Sequence, residues 1–328
     1  MSTVLVRGKV VLPVIGILLG LSSCLATAQS DEFKLPAGCK LPFAAIATTP
    51  DPFQKCGNCG VVSTNPKDTA ESKAAKALQS QAKNDFCANM SSVTTIDFAA
   101  LRAMQATSKK NNWVITDLPK RDVLRGFFKL NGEDIGEGSV VRLEAWVLDA
   151  HVSDCPTGES VNCEQPGFSS NDIHIPLLDP EAAGGRTQDE CASATAEMSP
   201  HFRPAAWSEV DMKTPVKNVV RVTGPLFFDN AHKPCAGLTK AAGDAAPFRS
   251  SLWEVHPVYQ FEVCANTDPT KCDVNSDSSA VWIPYDQWVK KAGPQATQPT
   301  GEKTRSEGKC KTPGPPATGN VPAQCPGK

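Results

Sequence analysis

Between Val140 and Cys264 the chain alternates apolar and polar residues in short runs separated by turn residues, and this period of two limits the possible folds more than any other feature. Successive side chains on an extended strand point to opposite faces, so such a run buries one face and presents the other. Five runs can be counted. Val141, Leu143, Ala145 and Val147 stand against Arg142, Glu144 and Trp146; Ile173, Ile175 and Leu177 against Asp172 and His174; Ala194, Ala196 and Met198 against Glu197. The fourth sets Val220, Val222, Gly224, Leu226 and Phe228 against Arg221, Thr223 and Asp229, and the fifth sets Trp253, Val255, Tyr259, Phe261 and Val263 against Glu254, His256 and Gln260. The expected class is mainly β. Trp146 falls on the polar side of its run and is expected to be exposed.

Between the third and fourth runs, Arg203 to Val210 has a proline placed for the first turn of a short helix. Five strands with one helix after the third is the order of elements in an OB-fold, a small five-stranded Greek-key barrel, here predicted over residues 137–290. The phrases VRVTGPLFFDNAHKPC and LWEVHPVYQFEVC also resemble a group of exported bacterial proteins with a similar strand, Asp, His, then Glu-x-His-Pro arrangement. The resemblance spans Glu137 to Cys264. It implies an OB-like barrel and export, and it carries no activity with it.

Export is also read from the N-terminus, where Arg7 and Lys9 precede an apolar stretch, Val10 to Leu21, of signal-peptide length and too short to span a bilayer. Residues 1–28 are read as a signal peptide cut after Ala26-Thr27-Ala28. The alternative is the lipobox-like Leu21-Ser22-Ser23-Cys24, which would leave a lipid anchor at Cys24. The expected destination is the periplasm or the cell exterior, or the outer membrane as a lipoprotein.

Of thirteen cysteines, loss or lipidation of Cys24 leaves twelve, an even number in an oxidising compartment. Disulfides are therefore expected, each stabilising by about 2 to 4 kcal/mol. Cys155 and Cys163 bracket one short loop and Cys264 and Cys272 another, while Cys191 and Cys235 lie in the two long loops; three bridges are predicted on those grounds. Cys56 and Cys59 have the spacing of a redox pair or half a zinc site. They lack the strand-then-helix setting of the first and the second CxxC of the other, so they too are read as structural disulfide cysteines.

Residues 29–136 are read as an irregular arm held by Cys39, Cys56, Cys59 and Cys87, followed by a helical cap. Asp68 or Thr69 can cap a helix repeating Ala70, Ala74, Leu78 and Ala82, and Asp97 opens a second with Phe98, Leu101 and Ala106 on one side. Val281 to Trp288 is expected to dock back as an aromatic segment, and residues 291–328, rich in Pro, Gly, Thr and Lys, to form a flexible tail. A net charge of −2 with both signs well mixed argues against a nucleic-acid partner. No second long apolar segment follows, so no transmembrane segment is expected.

All five histidines lie between His151 and His256. Residues two apart on a strand share a face, which pairs Asp172 with His174 and Glu254 with His256. If the second, third and fifth strands are neighbours, as OB order requires, Asp172, His174, Glu197, Glu254 and His256 converge on one outer surface. Imidazole and carboxylate together suit a divalent metal such as zinc, with His174, His256 and Glu254 as candidate ligands, or a metal-free acid and base pair. A plain structural reading stands beside this: an outward polar face needs no function, and His-Pro simply ends a strand. Asp229-Asn230-Ala231-His232 is read as capping a strand end. No GxSxG elbow, phosphate-binding glycine loop or HExxH helix is present. The leading expectation is an exported binding module for a small polar or anionic ligand such as an envelope saccharide. A metal-dependent hydrolase using the same face, or a purely structural envelope protein, is the alternative.

Overall fold

Each of the first four alternating runs is a strand in the computed structural model, which describes residues 66–85, 88–113, 121–152, 159–162, 171–199, 217–230, 232–239 and 249–292. In chain order the elements are α1 (Ala70–Lys83), β1 (Thr94–Ile96), α2 (Phe98–Lys110), β2 (Phe128–Leu130), β3 (Glu133–Ile135), β4 (Val140–Val147), β5 (His151–Val152), β6 (Ile173–Leu178), β7 (Ala194–Met198), β8 (Val220–Phe228), β9 (Trp253–Val255), β10 (Gln260–Cys264), β11 (Trp282–Pro284) and α3 (Tyr285–Ala292). The fold is mainly β. β4, β6, β7, β9 and β8 pair in that order, and β8 pairs back to β4, which closes a five-stranded barrel. It is mixed, because β7 and β9 run parallel while the other pairs in the ring are antiparallel. The second, third and fifth of the sequence runs therefore lie side by side as β6, β7 and β9.

The apolar residues of the alternation fill the interior: Val141, Leu143, Ile173, Ile175, Ala196, Val222, Phe228 and Val255 belong to one buried cluster. α2 packs onto it with Phe98, Leu101 and Met104. Its inward row continues to Ser108, whose hydroxyl accepts from the Trp253 indole at 2.9 Å, whereas Ala106, expected on that side, is exposed. α1 and α2 each begin with a side-chain cap. Thr69 accepts from the Ser72 amide and Asp97 from the Ala100 amide, each satisfying a first-turn N–H that has no helical partner.

The fifth run is two strands. Pro257 has no N–H to give a ladder, and the chain breaks there, at a cis His256–Pro257 bond, between β9 and β10. Across the break the alternation slips. Val258 enters the core, and Tyr259, expected inward, donates its hydroxyl to the Asp85 carbonyl and accepts from the Ala88 amide. β10 then pairs with β8 and β11, outside the barrel ring.

Trp146, expected exposed, is 6% exposed. A second apolar cluster covers it, made with Leu178, Val219, Cys264, Cys272 and Trp282, so the aromatic segment after Val281 docks on this outer face through β11, while α3 packs on the main core through Tyr285, Trp288 and Val289. Arg221 ties the intervening loop down, donating to the carbonyls of Val274 and Ser276 and lying 4.9 Å from the centre of the Trp282 ring.

Among the described residues two disulfides are formed, Cys191–Cys235 and Cys264–Cys272. The expectations for the signal segment with Cys24, the arm with Cys56 and Cys59, the Cys155–Cys163 bridge, the helix near Pro204 and the C-terminal tail fall outside the described residues. Among the described residues no helix is long and apolar enough to cross a membrane.

Candidate functional site

In the register of β6 against β7, His174 stands opposite Glu197, and β9 lies parallel on the other edge of β7 with Thr195 opposite Glu254. The pleat sends Asp172, His174, Glu197, Glu254 and His256 to the side of the wall opposite the apolar core. The five residues expected on one surface are thus brought together, but that surface is not exterior. Asp172, Glu197, Glu254 and His256 are 0–1% exposed.

What buries them comes from parts of the chain with no period-two signal. The last turn of α1 lies over the wall: Lys83 places its ammonium 2.8 Å from Glu197 Oε2 and 3.5 Å from Asp172 Oδ2, and Gln79, one turn earlier, reaches Asp229. The short 3-10 turn Ser160–Asn162 sits beside it, held to the helix end by the Asn84 amide on the Val161 carbonyl. Glu159 and Asn162 face the wall from that turn. Arg249 closes the far side, with one nitrogen 2.8 Å from Glu254 Oε2 and another 2.7 Å from Asp229 Oδ2. Asp229 also meets His232, so the expected strand-end cap is the outer edge of the same network.

Some of these oxygens have a hydrogen-bond partner and others do not. Asp172 Oδ1 accepts from Asn162 Nδ2 at 2.9 Å, and Glu197 Oε1 faces His174 Nδ1 at 3.5 Å. His174 turns its other nitrogen to Glu159 at 3.2 Å. That leaves Asp172 Oδ2 and Glu197 Oε2 buried without a hydrogen bond, and both ring nitrogens of His256 likewise. His256 Nδ1 comes within 2.8 Å of Glu197 Oε2 and Nε2 within 3.6 Å of Asp172 Oδ2, at distances suited to an ion pair but out of hydrogen-bond alignment. One ligand atom from each of Asp172, Glu197 and His256 falls within 4.8 Å of the other two.

Of the three metal candidates read from sequence, only His256 belongs to this trio. His174 is engaged by Glu159 and Glu197, and Glu254 by Arg249, its free Oε1 lying 3.8 Å from His256 Nδ1. Asp172 and Glu197 take their places.

Five carboxyls (Glu159, Asp172, Glu197, Asp229, Glu254) gather around the cations Lys83 and Arg249. Burial disfavours every charge here, and neighbours decide which survive. Burial would discharge Lys83, but Glu197, Glu159 and Asp172 outweigh it and hold the ammonium well above its ordinary range. Burial also opposes a charged His174, yet Glu197 and Glu159 raise it to about 9. Glu197 is held well below the usual carboxylate range against burial by His174, Lys83 and His256, and Glu159 sits at about 2 through Lys83 and His174. For the remaining pair burial wins. Asp172 rises to about 6, with Glu159 adding to the effect, and Glu254 is pushed well above its ordinary value with Glu197 and Asp229 adding. For these two acids the nearby cations do not offset burial, so both titrate above the ordinary carboxylate range.

One surface cleft lies elsewhere, lined by polar groups that include Asn89, Ser92, Thr94, Glu133 and Ser139, and it contains none of the residues above. No protein-family model, no curated protein and no solved structure matches the chain.

Proposed function

We propose that this protein is an exported, disulfide-braced binding module with an OB-type barrel, and that its ligand is a divalent cation held by Asp172, Glu197 and His256. The single observation that carries the reading is one buried donor atom from each of Asp172, Glu197 and His256 within 4.8 Å of the other two, none of them engaged by an aligned hydrogen bond. Asn162 and His174 each occupy one oxygen of a carboxylate, which orients the other oxygen inward as outer partners do at metal centres. Two carboxylate oxygens and an imidazole nitrogen suit zinc or a neighbouring first-row ion. A divalent charge would also offset the burial that raises Asp172 to about 6. The strand neighbours β6, β7 and β9, with the strand order closing the ring, support the OB-type assignment.

The same charge count argues against an anionic ligand at this site, which would meet five carboxyls. Hydrolysis is also disfavoured, because a substrate must reach the metal and the three ligands are 0–1% exposed. A neutral saccharide remains a second reading, favoured only by the polar cleft at Ser92, Thr94 and Ser139. Shifts of those amides in an NMR titration with envelope oligosaccharides check it, and unmoved amides would remove it.

The metal reading is tested by elemental analysis of protein purified without chelator or nickel resin and dialysed against trace zinc. One equivalent per chain is expected, reduced to background in His256→Ala and Asp172→Asn. Equal metal content in wild type and variants would reject the site.

A further inference from the structure

The oxygens that a metal would use already have a cation beside them. Lys83 Nζ lies 2.8 Å from Glu197 Oε2 and 3.5 Å from Asp172 Oδ2, the two oxygens that no hydrogen bond engages. An ammonium and a divalent ion cannot occupy that space together: they would be like charges a few ångströms apart in a buried setting where repulsion is poorly screened. Lys83 differs from Arg249 in the way this requires. Arg249 is 4% exposed at its side chain and fixed by Glu254, Asp229 and two carbonyls, whereas Lys83 is 15% exposed and ends a helix. Its flexible four-carbon stem allows the ammonium to leave toward water, which a clamped guanidinium cannot do.

Resting on the metal reading, we propose that Lys83 is the resident counter-ion of this site, and that a divalent cation binds by expelling it. The ammonium supplies the positive charge when metal is scarce, which keeps the barrel wall paired to α1. When metal enters, the pair between α1 and the wall is exchanged for coordination. The end of α1 then keeps contacts that involve no cation, among them Gln79 to Asp229, Asn84 to the Val161 carbonyl and the Asp85 carbonyl to the Tyr259 hydroxyl. Metal occupancy is thereby coupled to how firmly residues 70–84 are held.

The test is a cobalt titration of the full chain, followed by the visible absorption of bound Co2+, on wild type, Lys83→Met and His256→Ala. Removing the competing charge is expected to tighten Co2+ binding on the order of tenfold or more. His256→Ala is expected to give no signal. In parallel, hydrogen exchange of wild type is expected to show residues 70–84 losing protection when zinc is added. Equal affinity in wild type and Lys83→Met would overturn the displacement and leave the metal site standing. No cobalt signal in either would overturn both readings. Should Lys83→Met fail to fold, the exchange measurement on wild type decides alone, and unchanged protection at residues 70–84 overturns the proposal.

Discussion

Glu144 and Glu197 both stand on polar faces of alternating runs, and the sequence treats them alike. Their surroundings do not. Glu197 is compensated by Lys83 and His174, while Glu144 has the acids Glu181 and Asp273 as its charged neighbours and is pushed up to about 7, first by burial and then by those two. The sign of the consequence follows from linkage. Between the ordinary carboxylate range and pH 7, the folded chain holds a proton that the unfolded chain has released, so stability falls as pH rises through that window and levels off above it. Glu144→Gln removes this dependence. Urea midpoints of variant and wild type should agree near pH 4 and separate in favour of the variant toward pH 8. A constant difference across that range would show that Glu144 is not the source. At this scale the candidate residues were legible, because strand parity alone puts Asp172 with His174 and Glu254 with His256. Which of them would be left bare was not legible, since that depends on Asn162, Glu159 and Arg249, residues remote from any motif.

At the scale of elements, β8 shows how one position constrains two strands. A Cβ at Gly224 would come 2.3 Å from the Pro257 carbonyl oxygen and 2.9 Å from a Val255 methyl, because the chain between β9 and β10 crosses directly over it. The close approach is required: His256 and Tyr259 donate their amides to the carbonyls of Pro225 and Thr223, on either side of Gly224. Gly224→Ala should therefore destabilise the fold by about 1 to 3 kcal/mol, the usual effect of overpacking a tight contact. A chemical-denaturation midpoint equal to that of wild type would contradict this. The same crossing explains why five alternating runs became six strands. A period of two is a local signal and continues in register on paper, whereas the slip that brings Val258 inward and Tyr259 outward is set by tertiary contacts with Asp85 and Ala88. Runs with unbroken ladders were read correctly to within a residue or two.

For the molecule as a whole, alternation identified the inner face of the barrel wall but gave no account of what covers the outer one. Two covers exist. One is apolar, formed by Trp146, Trp282 and the Cys264–Cys272 loop; the other is ionic, formed by α1, the turn at Ser160–Asn162 and Arg249. Trp146 and the acid and imidazole face were both expected in solvent for this one reason. The disulfides divide accordingly. Cys264–Cys272 closes a loop of 8 residues inside the apolar cover, while Cys191–Cys235 spans 44 and joins the segment before β7 to the one after β8. Chain-entropy arguments give about 2.5 kcal/mol for the short loop and about 4 kcal/mol for the long one. Replacing Cys191 and Cys235 together by serine should thus lower the denaturation midpoint more than replacing Cys264 and Cys272. The reverse order would mean that packing of Cys264 and Cys272 against Trp282 outweighs loop closure.

Asp172, Glu197 and His256 bring three buried donor atoms to one point, which we propose holds one divalent ion. Crystals of the full chain soaked in zinc, with diffraction data collected on both sides of the zinc absorption edge, address it directly. One anomalous peak is predicted per chain, about 2.0 to 2.2 Å from an oxygen of Asp172, an oxygen of Glu197 and a nitrogen of His256, with the Lys83 ammonium moved away. A structure at saturating zinc with no peak there, and with Lys83 still paired to Glu197, would contradict it.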